Sequence, residues 1–214
     1  MKNFRILQRA IKELSSFRVV NLGIGLPSQL IDHLPDDLDV QIQTENGVLG
    51  AWKRASSETA DPSLIDAGGS YITTRPGSSY FDSSVSFAMI RRSKIQLSLM
   101  GAFEVDEVGN LANWKIPGSY SPGIGGAMEL AQKCARVVVL CSHNDKRGNP
   151  KIVSRSKLPW TAPHCVSRII TDKAVMDVTE AGLLLREISE DIELKELIEQ
   201  TGAKLIVSKE LGRF

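Results

Sequence analysis

Between residues 4 and 17, Leu7, Ala10, Ile11 and Leu14 recur at helical spacing, with Arg5, Arg9, Lys12 and Glu13 between them. That pattern predicts an amphipathic helix. The next run, 18–27, is apolar and ends in Gly23-Ile24-Gly25-Leu26-Pro27, which predicts a strand entering a glycine-rich turn. Ser28 is placed to cap a short helix containing Leu30, Ile31 and Leu34, stopped by Pro35. Val40 and Ile42 alternate in a second strand, 40–44, which delivers Glu45 to an Asn46-Gly47 turn. Residues 53–63 are polar and predict a surface loop, and Asp66-Ala67-Gly68-Gly69 predicts a turn.

A helix is expected from Asp82 or Ser83, carrying Val85, Phe87, Ala88, Met89 and Ile90, with Arg91-Arg92 suiting its carboxyl end. A strand follows over 95–100. Turn formers fill 117–126 and open into a helix at Ala127, and then comes a buried strand over 136–141. Short strands are expected over 167–171, 174–178 and 182–187, a helix over 191–200 with Gly202 as its C-cap, and a last strand over 203–208. The alternation of strands and helices predicts an α/β chain around a parallel sheet. A single domain over 1–214 is expected, with an irregular segment around 143–190 broken by Pro150, Pro159 and Pro163.

The chain has 214 residues, enough for a substantial core, and a formal net charge of +1. That balance gives no electrostatic case for a nucleic-acid or membrane partner. The three cysteines, Cys134, Cys141 and Cys165, have no CxxC spacing, which points to a reducing compartment rather than a disulfide framework. The start of the chain is amphipathic rather than signal-like, and its longest apolar runs, such as 137–140, are far short of a membrane span. A cytoplasmic location is the expectation.

Candidate chemistry centres on Glu45. It stands where a strand stops and the backbone turns, and in open α/β sheets that carboxyl edge is where ligands bind. A solvated loop glutamate is the plain reading of the same residues. Gly123-Ile124-Gly125-Gly126 before a helix can present backbone N–H groups to a developing oxyanion, with Gly125 and Gly126 as the candidate donors; a packing turn explains it equally well. Gly23-Ile24-Gly25 lacks the third glycine of a dinucleotide fingerprint. Asn46 and Asn113 are candidate ligand contacts, or turn formers. His33, His143 and His164 are scattered, without metal or triad spacing, and Asp82 reads as a cap.

Gln43-Thr44-Glu45-Asn46-Gly47-Val48-Leu49-Gly50 resembles the active-site signature of family I coenzyme A transferases, in the B (beta) subunit of the 3-oxoacid type. Pro122-Gly123-Ile124-Gly125-Gly126-Ala127-Met128-Glu129 resembles a second signature of that family, with Glu129 in place of Asp. The stretches 77–83, 101–118, 149–153 and 165–171 are similar as well, so the resemblance covers nearly the whole chain in order. It implies an open, mostly parallel α/β sheet with helices on both faces, shared with sugar-phosphate isomerase-type proteins. It implies that Glu45 is the nucleophile, that coenzyme A is a substrate, and that no cofactor or metal is permanently bound. A separate A (alpha) subunit and a hetero-oligomer are also implied. Thr44 departs from the usual Ser, and Ala51-Trp52 departs after the signature. Trp52 is a candidate for the acyl pocket, with ordinary core packing as the alternative. A thioester hydrolase on the same fold and a non-catalytic partner subunit are the rival functions.

Overall fold

The computed structural model describes residues 2–214. Its backbone is a ten-stranded sheet beside a three-stranded one. The centre of the large sheet is β1 (Val19–Leu22), β2 (Gln41–Thr44), β5 (Leu97–Gly101), β8 (Arg136–Leu140) and β10 (Arg168–Ile170). These pair in parallel in the order β2-β1-β5-β8-β10. Antiparallel strands extend both sides. β3 (Val48–Arg54) and β4 (Ile72–Tyr80) follow β2. β11 (Ala174–Thr179) and β12 (Gly182–Ile188) follow β10. β13 (Leu205–Arg213) closes that side, parallel to β12.

Strand periodicity sorts the core into two faces. Val138, Leu140, Leu97, Leu99, Ile170 and Val175 turn to one side, where α1 (Lys2–Leu14) packs with Ile6, Leu7, Ala10 and Leu14. Val137, Val139, Met100, Ile169 and Met176 turn to the other. There α2 (Ser83–Arg91), α3 (Ala127–Lys133) and α4 (Leu194–Glu199) contribute Ile90, Leu130, Ala131 and Leu197. The small sheet, β6 (Glu104–Asp106), β7 (Leu111–Ala112) and β9 (Ile152–Val153), adds fully buried Val105, Leu111 and Ile152 to that same side. A central parallel sheet buried on both faces has near-continuous apolar strands, as in Val137-Val138-Val139-Leu140.

Most predicted elements are present, with differences that have physical reasons. Asp82 is the α2 cap, its carboxylate accepting from the Val85 N–H at 3.1 Å. Ser28 caps nothing; its hydroxyl bonds the Gly25 carbonyl, and residues Pro27–His33 form a 3-10 turn. The polar stretch 55–63 is loop, but Lys53 and Arg54 end β3. β3 and β4 carried no clean alternation because their ladder shifts register twice and β4 contains Pro76-Gly77. Pro76 is tolerated because β4 lies at the sheet edge. β13 runs five residues past the expected end at Ser208 to Arg213. The irregular segment is confined to about 141–167, where β9 is its one strand; from Arg168 onward the chain rejoins the large sheet.

Helix α1 is tied to the sheet by a buried ion-pair network. The Glu13 carboxylate accepts from the Arg9 guanidinium at 2.9 Å and from that of Arg168 at 2.7 Å, and Arg168 reaches Asp177 at 2.6 Å. Glu13 and Arg9 are each only 7% exposed. Removing one partner of a buried pair leaves the other charge uncompensated. Glu13→Ala is therefore expected to lower unfolding stability by about 3–5 kcal/mol in denaturant titration. Activity measured well below the transition should survive.

Candidate active site

The carboxyl ends of β1, β2, β5 and β8 open into a cleft of about 520 Å³. Its walls include Asn21, Glu45, Met100, Tyr120, Gly126 and Lys151. Glu45 is the first residue beyond β2 and is half-buried. Its turn is fixed from several sides. The Gly47 N–H donates to the Thr44 carbonyl at 3.1 Å, and the Phe81 N–H donates to the Gly47 carbonyl at 3.0 Å. Gly47 has φ +122°, and a Cβ there would collide with the Phe81 carbonyl, so only glycine makes this turn.

Beneath the turn lies a buried amide network. Gln43 is fully buried and points away from the side shared by Ile42 and Thr44. Its Nε2 donates to the Thr44 carbonyl at 3.0 Å and to the Ser86 hydroxyl on α2 at 2.8 Å. Its Oε1 accepts from Asn21 Nδ2 on β1 at 2.9 Å, and Asn21 accepts from the Ser98 hydroxyl on β5 at 3.3 Å. Satisfied polar networks of this kind rigidify what they join, so the strand end carrying Glu45 is held to the neighbouring β1, through it to β5, and to α2.

The Glu45 side chain lies against Gly126. A Cβ built on Gly126 would overlap the Glu45 carboxylate, 2.8 Å from its Cδ, and would stand 3.0 Å from Phe87 Cζ. Burial raises the Glu45 pKa from its ordinary value; the Gly126 N–H, facing the carboxylate, pulls it partly back. Desolvation disfavours the anion while the backbone dipole favours it, which leaves a weakly solvated, oriented carboxylate.

Of the other residues singled out in the sequence, Gly125 lines the cleft with φ +50°. Asn113 lines it too, but its polar atoms are engaged. Its Nδ2 donates to the Gly101 carbonyl at 3.1 Å, and its Oδ1 accepts from the Thr161 hydroxyl at 2.6 Å. Asn46 is exposed and outside the cleft wall, its Nδ2 donating to the Ile65 carbonyl at 2.8 Å. That bond tethers the 61–71 loop, whose Gly68 packs beside Ile24 at the rim. Trp52 does not line the cleft. It sits under the Arg75 guanidinium, 3.4 Å from its ring, and Arg75 is anchored on the Leu38 and Asp36 carbonyls. The packing reading of Trp52 is the one the geometry supports.

Lys151, Met100, Phe103 and Tyr120 also line the cleft and were not marked by sequence reasoning. Lys151 falls within one of the resembling stretches, but nothing local distinguished it. Burial pushes the Cys134 and Cys165 thiols up to about 12 and Cys141 up to about 11, so none competes as nucleophile. His143 lies between the Thr171 and Thr201 hydroxyls at 3.0 and 2.9 Å, and burial lowers its pKa to about 4. It is a neutral core residue. Among the described residues no cluster of His, Cys, Asp or Glu is placed to hold a metal ion, and no helix is long and apolar enough to cross a membrane.

A strand-end glutamate thus lies against a glycine backbone inside a ligand-sized cleft. Residues 4–200 match the coenzyme A transferase family model, and the chain belongs to that family of enzymes. It is 44% identical over 201 residues to the beta subunit of a probable coenzyme A transferase of Bacillus subtilis, covering 94% of this chain and 93% of the relative. It is 42% identical over 205 residues to the B-type subunit of a probable succinyl-CoA:3-ketoacid coenzyme A transferase of the same organism, covering 96% and 95%. Among solved structures, an acyl-CoA transferase apoenzyme from Escherichia coli O157:H7 superposes with a TM-score of 0.80 at 18% identity. That likeness covers 100% of this chain but 43% of the longer one, and it shows the shared fold.

Testable outcomes follow from the contact between Glu45 and Gly126 and from the burial of Glu45. Gly126→Ala keeps the N–H but sets a Cβ against the Glu45 carboxylate; it should fold and yet lose at least about 100-fold in kcat, because displacing the carboxylate from its donor costs on the scale of one oxyanion contact, and circular dichroism and steady-state assays check both halves. The raised Glu45 pKa means the folded state holds its proton more tightly than the unfolded chain. Ionised Glu45 therefore opposes folding above that raised pKa, and the penalty fades as pH falls through it. Glu45→Gln should be at least as stable as the native chain at neutral pH. The acid limb of the native kcat/KM profile should lie above the usual glutamate value of about 4.3.

Proposed function

We propose that this chain is the B-type half of a transferase that moves coenzyme A between an acyl-CoA and a free short-chain or 3-oxo carboxylic acid. The observation that carries this reading is the Glu45 carboxylate, half-buried in the cleft and lying against the Gly126 backbone. A Glu45 oxygen attacks the thioester carbonyl, the C–S bond breaks, and a mixed anhydride forms with release of the CoA thiolate. The thiolate then attacks the Glu45 carbonyl carbon, and the anhydride C–O bond breaks. The first acid leaves as its carboxylate and CoA stays on Glu45 as a thioester. A second acid reverses the steps. Splitting the transfer in this way is nucleophilic catalysis with ping-pong kinetics.

A carboxylate suits this exchange because its anhydride and thioester lie close in energy to those of the substrates. Weak solvation of Glu45 raises its nucleophilicity. A deep cleft limits the water that would turn transfer into hydrolysis. The relatives, named as beta or B-type subunits, support a separate A-type partner, which completes the CoA site in a hetero-oligomer. Coenzyme A enters as substrate and not as a resident cofactor.

The test is kinetic, on this chain assembled with its A-type partner. Initial rates against acyl-CoA at several acid concentrations should give parallel reciprocal plots, and the donor acyl-CoA should turn over only when a second acid is present, its CoA reappearing as that acid's thioester and not as free thiol. Glu45→Ala should lower transfer by at least about 1,000-fold, as expected for loss of a covalent nucleophile. Catalytic CoA release in water without an acceptor acid would instead establish a hydrolase.

A further inference from the structure

Most polar side chains that line the cleft are already engaged. Asn21 and Asn113 belong to the networks described above. The Ser28 and Ser142 hydroxyls donate to the Gly25 and Asn144 carbonyls at 3.0 and 2.8 Å. Asp66 accepts from the N–H groups of Gly68 and Ser70, both at 2.8 Å. The Thr44 hydroxyl is unpaired but shut off from solvent, so no diffusing substrate reaches it. Lys151 is different. It is the one cation lining the cleft, and among the described residues it has no ion-pair partner. Its ammonium carries three donors and makes one long contact, 3.4 Å from the Ala102 carbonyl.

The backbone fixes where that ammonium stands. The Lys151 N–H donates to the His143 carbonyl at 3.0 Å, and its carbonyl accepts from the Val105 N–H at 2.9 Å. Ile152, the next residue, is fully buried, so by strand alternation the Lys151 side chain points the other way. It reaches Ala102, the residue after β5. Burial raises the pKa of Cys141, the residue after β8, and the nearby Lys151 charge opposes that rise. Glu45 leaves β2, which lies two strands from β5 in the order β2-β1-β5. Two strand spacings are about 10 Å. Burial and the Gly126 N–H set the Glu45 pKa, so Lys151 is not its counter-ion. An acid whose reacting carboxyl lies at Glu45 crosses the end of β1, where Leu22 lines the cleft, and brings its chain toward Lys151. A four-carbon chain, a hydrogen bond and a flexible lysine stem together cover that span.

We propose that Lys151 binds an oxygen carried on the chain of the acid, a 3-oxo group or a second carboxylate, and so selects oxygen-bearing acids over plain alkyl acids. Such an oxygen accepts a charge-assisted hydrogen bond from the ammonium. An alkyl chain in its place would cover the ammonium and leave it without a partner, the asymmetry by which polar sites discriminate. Lys151 transfers no proton and makes no covalent bond. This inference rests on the CoA-transfer reading and narrows its class of acid.

Three four-carbon acceptors test it on the complex with the A-type partner: butanoate, 3-oxobutanoate and succinate, with one fixed acyl-CoA donor. In a ping-pong cycle kcat/KM for the acceptor reports only its reaction with the CoA-loaded enzyme. The native complex should favour an oxygen-bearing acid over butanoate by about tenfold or more, the scale of a charged hydrogen bond. A loss confined to succinate identifies a carboxylate as the group bound, and one confined to 3-oxobutanoate an oxo group. Lys151→Met should lower the preference about tenfold or more, with a melting temperature within about 3 °C of native, because the ammonium makes only one long contact. If Lys151→Met does not fold, Lys151→Gln, shorter and uncharged, should lower the preference at least about fivefold. An unchanged preference in a folded variant, an equal loss for all three acids, or a native complex that favours butanoate would overturn the proposal. If the native complex transfers CoA to none of the acids, the transfer reading itself fails, whereas transfer with a preference indifferent to Lys151 sinks only this inference.

Discussion

The site depends on one close approach, the Glu45 carboxylate resting on the backbone of Gly126 where no Cβ fits. Glu45 comes from the end of β2, the last of the parallel strands, with β3 and β4 beyond it. Gly126 comes from the loop before α3, across the cleft. Bringing the two together requires the parallel strand order, the turn at Gly47 and the seating of α3 on the sheet through Leu130 and Ala131. A shift of an ångström in any of them would separate the carboxylate from its N–H. The fully buried Gln43 network reads as the device that prevents this, since it fastens the Thr44 carbonyl to β1 and α2 at once.

Electrostatics and packing pull against each other at this point. A carboxylate removed from water is a better nucleophile and a poorer contributor to stability, and the raised pKa of Glu45 records that conflict. The unpaired Thr44 hydroxyl next to it is a second local cost in the same few residues. The rest of the molecule carries such costs easily. Its sheet is covered by apolar side chains on both faces, and α1 is held to it by the Glu13 ion pairs. Strain gathered at a functional edge and offset by a well-packed centre is the expected arrangement.

The elements that the sequence showed clearly are those with a strong period. The α1 stripe, the 136–141 strand and the Asp82 cap each follow from local chemistry, and each is present. β3 and β4 were not visible, because bulges break their alternation and Pro76-Gly77 mimics a turn. At the site, Glu45 and the glycine loop were legible from motif and turn signals, but their mutual contact was not, since 80 residues of chain separate them. Asn46 and Trp52 were plausible contacts by position alone. Their partners, the Ile65 carbonyl and the Arg75 guanidinium, are tertiary neighbours that no local pattern reveals. Thr44 stood out in the sequence only as a departure from serine; its missing partner is visible only in three dimensions.

The central claim is that Glu45 carries coenzyme A covalently, and a mass measurement tests it most directly. The chain, assembled with its A-type partner, is incubated with an acyl-CoA, quenched in acid and weighed intact, then digested. The account predicts a CoA-sized gain on the peptide containing Glu45, discharged when a free acid is added and absent in Glu45→Ala. A folded, CoA-binding complex that turns over substrate with no adduct at Glu45 would contradict it.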